Sequence, residues 1–347
     1  MRLTYALLAL LLLPVLLLAV PARADQATLA GLQRDGGFQE VVISVPDLDQ
    51  ATVFYQRVAG WRMIYRGNAA PELVTAWGLP EGTKVIEVIL RNAGDPQGIL
   101  RLVSFKGVQQ EEVRPAAKPW ETGAWASMIV RVKDAKAKYK QFRTHNWHAF
   151  SAPVEFKVDK FTGVEAIMMG FGGETVTLRE QTGESVKDMN FPSRVTASVK
   201  DVDAVAAFYV DKLGFKVTNT LEGPLPGGGR NSFGLPQNMF GNIYRRQKVV
   251  IPAAAGNDAR GAIVLSTYYG LHGDDFAERD RVPNLGFLMV RFPVSDAAAR
   301  AAEIAAKGVK IDYQRDEVRM EPYGTVKVFG VRDPNGGMIE FFEAPTP

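Results

Sequence analysis

One short phrase occurs twice in this chain. Val41 to Asp47, followed by Phe54-Tyr55 and Gly60, returns 154 residues later as Val195 to Asp201, followed by Phe208-Tyr209 and Gly214. A repeat of that period restricts the fold more than composition does, because two copies of a phrase call for two copies of the structure it suits. In VVISVPDLDQATVFYQRVAGW, Val41, Ile43 and Val45 alternate onto one face of a strand, Asp47 is placed to cap a helix, and Val53 and Tyr55 to Val58 suit a helix face that Gly60 ends. RVTASVKDVDAVAAFYVDKLGFKV repeats that strand–helix unit, with Asp201 as cap and Gly214 as stop. The copies stay in step through Trp77-Gly78-Leu79-Pro80 and Phe233-Gly234-Leu235-Pro236, where Gly and Pro mark a turn.

Each half holds a second, shorter unit. Ser127 to Glu180 runs from the alternating MIVRV through a candidate helix after Asp134 to ETVTLRE; Phe287 to Glu343 runs from LMVRF through an Ala-rich helix after Asp296, ended by Gly308, to VKVFGVRDPNGGMIEFFE. The chain therefore reads as an α+β protein of four βαβββ-like modules arranged as two pairs, each a curved mixed sheet with outer helices. The polar stretch from Glu180 to Ser193 separates the halves. The expected organisation is a lead at 25–37, a first domain at 38–181, a linker at 182–191 and a second domain at 192–344.

The first 24 residues stand apart. Arg2 precedes an almost wholly apolar run from Tyr5 to Val20, then Pro21 and Ala22-Arg23-Ala24, a small-x-small cleavage pattern. This is the pattern of a secretory signal peptide, and the run is short for a bilayer span of ~20 residues. The chain has no cysteine. For an exported protein, that points to a bacterial periplasm and to a core that needs no disulfides, with no stable membrane insertion after cleavage. Charge excludes little: 41 Lys plus Arg stand against 38 Asp plus Glu. The densest basic run, KDAKAKYKQFR, reads as the solvated face of a helix whose Tyr139 and Phe142 are buried, so nucleic acid is not an expected partner.

The VxDLD…FY…LGF opening and the DPNGGMIEFFE close resemble the vicinal oxygen chelate superfamily, which contains glyoxalase I, the bleomycin-resistance proteins and the extradiol dioxygenases. The resemblance covers roughly residues 38 to 344. It implies the fold, not one activity, because lyases, epimerases, dioxygenases and binders share it. In metal-using members the two modules of a pair supply His and Glu ligands from the first and last strands. The corresponding positions here are Glu40, Arg101, Ser127 and Thr177 in the first half, and Arg194, Val264, Phe287 and Glu340 in the second. Two acids and two arginines cannot supply the two His and one carboxylate of an extradiol iron site, so no metal or other cofactor is expected at the usual positions. His145 and His148 sit near a helix end, and His272 lies in a loop beside Asp274 and Asp275.

What remains is a Glu and an Arg assigned to each cleft, Glu40 with Arg101 and Arg194 with Glu340. Strand alternation adds Thr196, Ser198 and Phe342 to the cleft face. Two readings stay open. Each pair is a buried salt bridge filling a former metal cavity, or each arginine binds the carboxylate of a small organic molecule while Glu340 or Glu40 acts as a base. The function expected is metal-independent binding of a small organic molecule, in a carrier or sequestering role. The alternatives are a lyase, isomerase or dioxygenase using a displaced metal or Glu/Arg acid–base groups, and a non-catalytic scaffold with filled clefts. The glycines at 227–229, ahead of Arg230, lack the Lys-Ser/Thr of a phosphate loop and read as a strand connection.

Overall fold

A computed structural model describes residues 26–92, 98–158, 161–181, 188–225, 231–240, 242–256 and 260–346. The expected signal peptide, the glycine run at 227–229 and most of the expected linker lie outside these residues. Four modules follow a short helix α1 (Gln26–Ala30). Module 1 is β1 (Glu40–Ser44), α2 (Leu48–Val58), β2 (Trp61–Asn68), α3 (Pro71–Ala76), β3 (Lys84–Asn92) and β4 (Ile99–Lys106). Module 2 is β5 (Ser127–Val132), α4 (Ala135–Thr144), β6 (His148–Ala149), β7 (Val154–Val158), β8 (Phe161–Met169) and β9 (Thr175–Glu180). Module 3 is β10 (Arg194–Ser198), α5 (Val202–Ala207) with a π-helical turn at Phe208–Lys212, β11 (Phe215–Pro224), α6 (Gln237–Phe240), β12 (Tyr244–Pro252) and β13 (Ala262–Tyr269). Module 4 is β14 (Gly286–Pro293), α7 (Ala297–Ala306), β15 (Tyr313–Met320), β16 (Gly324–Arg332) and β17 (Met338–Glu343).

The same local device starts the main helix in all four modules. The carboxylates of Asp47, Asp134, Asp201 and Asp296 accept hydrogen bonds of 2.8–3.1 Å from the backbone N–H groups of Gln50, Ala137, Ala204 and Ala299. Each cap satisfies a donor the first turn would otherwise leave unpaired and contributes about 1 kcal/mol. The motif DPNGG closes module 4 in a comparable way. Asp333 accepts from the N–H groups of Asn335 and Gly337 and from the Tyr209 hydroxyl, which ties this turn to module 3. Gly336 has φ +85° and faces the Ala277 carbonyl so closely that no Cβ fits.

In every module the first strand pairs in parallel with the last, the helix and hairpin forming the crossover. The modules pair in twos, but not within each half of the sequence. One sheet runs β15-β16-β17-β14-β1-β4-β3-β2 and joins module 1 to module 4; the other runs β11-β12-β13-β10-β5-β9-β8-β6, with β7 on β8, and joins module 2 to module 3. The junctions are antiparallel, β1 on β14 and β10 on β5. The expectation that 38–181 and 192–344 each form a closed pair is corrected here, and charge supplies a physical reason. Pairing module 3 with module 4 would set Arg194 at the level of Arg291, two guanidiniums beside the one carboxylate of Glu340, whereas the observed cluster balances its two with Glu40, Glu87 and Glu340. The observed register instead sets Glu40 opposite Arg291 and Arg291 opposite Glu340.

The helix-side faces of all four modules share one apolar core, from Val41 and Phe54 through Phe142 and Trp147 to Tyr209, Phe292 and Ile304. The stretch expected to act as a linker contributes to this core. Met189 and Phe191 are buried, and the Met189 carbonyl accepts from the indole of Trp61 and the amide of Asn92. The apolar pair within that polar run is the reason it docks.

Glu174 is buried beside the Tyr55 hydroxyl and accepts from the Gly172 N–H at 2.8 Å. Burial pushes its carboxyl up to about 7 against that hydrogen bond, from a usual value of 4.5. A raised acid favours the folded state most when both folded and unfolded forms are protonated. Its contribution is therefore complete below pH 4.5 and lost as pH rises to about 7, on the order of 3 kcal/mol across the interval. Burial also raises Asp333, to about 6, in the same direction. Urea unfolding at pH 5 and pH 8 is expected to show a smaller loss in Glu174→Gln than in the wild-type protein; an equal loss in both would remove Glu174 from the account.

Candidate functional site

The two sheets share a plan and treat their concave faces oppositely. In the sheet of modules 1 and 4 the four central strands bring Glu40, Arg101, Arg291 and Glu340 together, all fully buried. Arg101 grips Glu40 with two donors, Nε at 2.6 Å from Oε1 and Nη2 at 3.1 Å from Oε2, and its Nη1 lies 2.6 Å from Glu87 Oε2. Arg291 bridges the modules, donating through Nη1 to Glu40 and through Nε to Glu340. Further donors reach the two acids: Tyr323 donates to Glu40 at 3.2 Å, and Trp77 Nε1 at 3.0 Å and the Tyr313 hydroxyl both donate to Glu340. Burial pushes the Glu40 carboxyl up, but Arg101 and Arg291 outweigh it and hold Glu40 below its usual range. Glu87 is raised by burial, an effect that Arg101 only partly offsets. Phe342 lies against Tyr323, ring centroids 4.6 Å apart, and Leu29 and Leu32 of the N-terminal lead join the same buried cluster. This cleft is filled.

The sheet of modules 2 and 3 encloses an open cavity of about 750 Å³. Ser127, Thr177, Arg194, Thr196 and Ser198 all line it. Register aligns Arg194 with Ile129 and Ile129 with Thr177, and places Thr196 beside Ser127 and Val264. The Ser127 and Thr177 hydroxyls lie 2.9 Å apart. Val249 and Val264 form an apolar patch with Ile129 beside Arg194, and Leu225, Phe233 and Tyr268 gather in a second. Arg194 is half-buried and has no carboxylate partner among the described residues. Burial, then the nearby charges of Arg179 and Arg131, lower its affinity for its proton.

Equivalent strand positions thus hold Glu, Arg, Arg and Glu in one sheet, and Arg, Val, Ile and Thr in the other. Neither donor set fits a divalent metal, which needs several converging lone pairs and is repelled by guanidinium. Among the described residues no three His, Cys, Asp or Glu side chains gather in a way that suits a metal.

The ten residues singled out by sequence therefore divide three ways. Ser127, Thr177, Arg194, Thr196 and Ser198 face the open cavity; Glu40, Arg101, Glu340 and Phe342 fill the other cleft; Phe287 faces neither. A β-bulge between Met289 and Phe287 turns that ring to the helix side, where it stacks on Trp125 at 5.8 Å. The expected Arg194–Glu340 pairing is corrected as well, since the two lie in different sheets and Arg291 is the partner of Glu340. Sequence matching missed Arg291, because LMVRF laid on MIVRV sets it against Arg131, whereas the registers place it at the level of Ile129. Trp77 and Phe233, from the repeated turn, have opposite roles, one capping Glu340 and the other lining the cavity.

The two kinds of arginine predict different mutational costs. Arg291→Ala leaves two buried carboxylates without their shared cation and is expected to cost ~3–5 kcal/mol in urea unfolding, whereas Arg194→Ala breaks no ion pair among the described residues and is expected to change stability by less than about 1 kcal/mol. Equal losses would mean that Arg194 is also structural.

Residues 192–341 match the sequence model of the Glyoxalase/Bleomycin resistance protein/Dioxygenase superfamily. No curated protein matches the chain in sequence. Among solved structures, glyoxalase I from Zea mays is 14% identical, aligns over 89% of this chain and 92% of its own, and has a TM-score of 0.61. A candidate dioxygenase from Bacillus subtilis is 15% identical over 90% and 86%, with a TM-score of 0.52. At such identities the likeness speaks to fold alone. Residues 192–341 thus carry the sequence signature of that superfamily, and the chain as a whole shares its fold with these two structures.

Proposed function

We propose that this is an exported protein that binds a small organic anion in the cavity between modules 2 and 3, without a metal at the superfamily's usual positions, in a carrier or sequestering role. The observation that carries the reading is Arg194. It lies at the cavity wall with no carboxylate partner among the described residues, while the arginines of the twin sheet are tied to Glu40, Glu87 and Glu340. A guanidinium offers two parallel donors to a carboxylate, and the hydroxyls of Thr196, Ser127 and Thr177 stand on adjoining strands to complete its hydrogen bonding. The cavity is of the size that encloses a small organic molecule, and its walls mix apolar residues such as Leu225 and Val264 with polar and charged ones such as Gln247 and Arg245. Glu40 and Glu340 take no part, since both are enclosed on the other sheet. Export rests on the apolar run from Tyr5 to Val20 and the Ala22-Arg23-Ala24 pattern.

Calorimetry with aliphatic and aromatic monocarboxylates is expected to detect binding that weakens by about 1.5–3 kcal/mol in Arg194→Ala, roughly ten- to a hundredfold in Kd. Arg194→Lys should recover only part of it, because an ammonium lacks the planar fork. Carboxylates that bind the wild-type protein and Arg194→Ala equally would refute the reading.

A further inference from the structure

The cavity has a second polar level that the anion site leaves unused. Gln247 Nε2 donates to Ser266 Oγ at 3.0 Å, and no donor reaches the Gln247 carbonyl oxygen among the described residues. Ser266 pairs with Ser198 across β13 and β10, and with Gln247 across β12 and β13. Ser198 lies four residues beyond Arg194 on the same strand, which is about 13 Å at ~3.3 Å per residue. Between the two levels the wall is apolar: Val264 and Val249 are paired strand neighbours beside Thr196, and both are buried. Along these strands the wall therefore presents, in order, a cation, an aliphatic stretch, and a neutral hydrogen-bonding pair with a vacant acceptor, with Arg245 two residues past Gln247 on β12.

We infer that the ligand is a carboxylate bearing a hydroxyl group at the far end of an apolar chain or ring system, the acid at Arg194 and the hydroxyl at Gln247 and Ser266. This rests on the anion-binding reading and narrows it. A plain fatty or aryl acid of the same length fills the cavity but leaves the Gln247 carbonyl facing apolar atoms, which a buried acceptor resists.

The test compares decanoate with 10-hydroxydecanoate by calorimetry on the full mature chain, in the wild-type protein, Arg194→Ala and Gln247→Leu. The expected result is that the hydroxy acid binds the wild-type protein about tenfold more tightly, that both acids weaken in Arg194→Ala, and that the ratio between them collapses toward one in Gln247→Leu. Residual decanoate binding in Gln247→Leu reports that the cavity is intact. Equal affinities in the wild-type protein, with both acids lost in Arg194→Ala, overturn the inference and leave the anion site standing. A tenfold preference that survives Gln247→Leu overturns the assignment of the hydroxyl to that level. Binding of neither acid above the level of Arg194→Ala overturns the anion site and the inference together.

Discussion

The bridge that Arg291 makes between Glu40 and Glu340 is the constraint on which the rest of the architecture depends. It spans the junction of β1 and β14, so it is both the charge balance of one cleft and the bond between the first and last modules. Buried ions are tolerated only when their partners are in place, and here three carboxylates, two guanidiniums, two phenols and an indole saturate most of one another's hydrogen bonds. Such a network rejects other pairings of the modules because each alternative leaves like charges together or a charge facing Ile129 and Thr177.

Division of labour between the two sheets follows from that choice. One concave face is occupied by its own side chains, with Trp77, Tyr313, Tyr323 and Phe342 closing over the charges and the N-terminal lead packed against the closure. The other carries Val264 and Ile129 where its twin has arginines, and so lacks the ions that would draw covering groups inward. Its single arginine at those positions faces a cavity instead of a carboxylate. The two sheets thus differ in content: one concave face is filled by its own ion network, and the other is open.

The residues whose roles are set locally were legible in the sequence. Asp47, Asp134, Asp201 and Asp296 cap helices through bonds to the next turn, and strand alternation put Glu40, Arg101, Arg194 and Glu340 on concave faces because that period does not depend on which strand lies alongside. What sequence did not show is set at a distance. The partner of a strand edge is chosen by register and side-chain complementarity over hundreds of residues, so nearness in sequence suggested module 2 for module 1 when charge selects module 4. A single bulged residue moved Phe287 off the cleft face, a displacement that leaves no mark on an alternating pattern. Met189 and Phe191 are two apolar residues in a polar run, too few to signal that the run docks into a core.

Nested pairing also orders events in time. The sheet of modules 2 and 3 is built from a continuous stretch, Ser127 to Tyr269, and its strands meet as that stretch is completed. The other sheet closes only when β14 reaches β1, with Glu40 and Arg291 separated by most of the chain. The entropy of closing so long a loop grows slowly with length but must be met before any contact across it forms, and such non-local pairings slow folding. Until then β1, which carries Glu40, is an unpaired edge, with Arg101 one strand further in on β4. The cavity-bearing sheet is the interior of the topology and the charged sheet its clasp, fastened last.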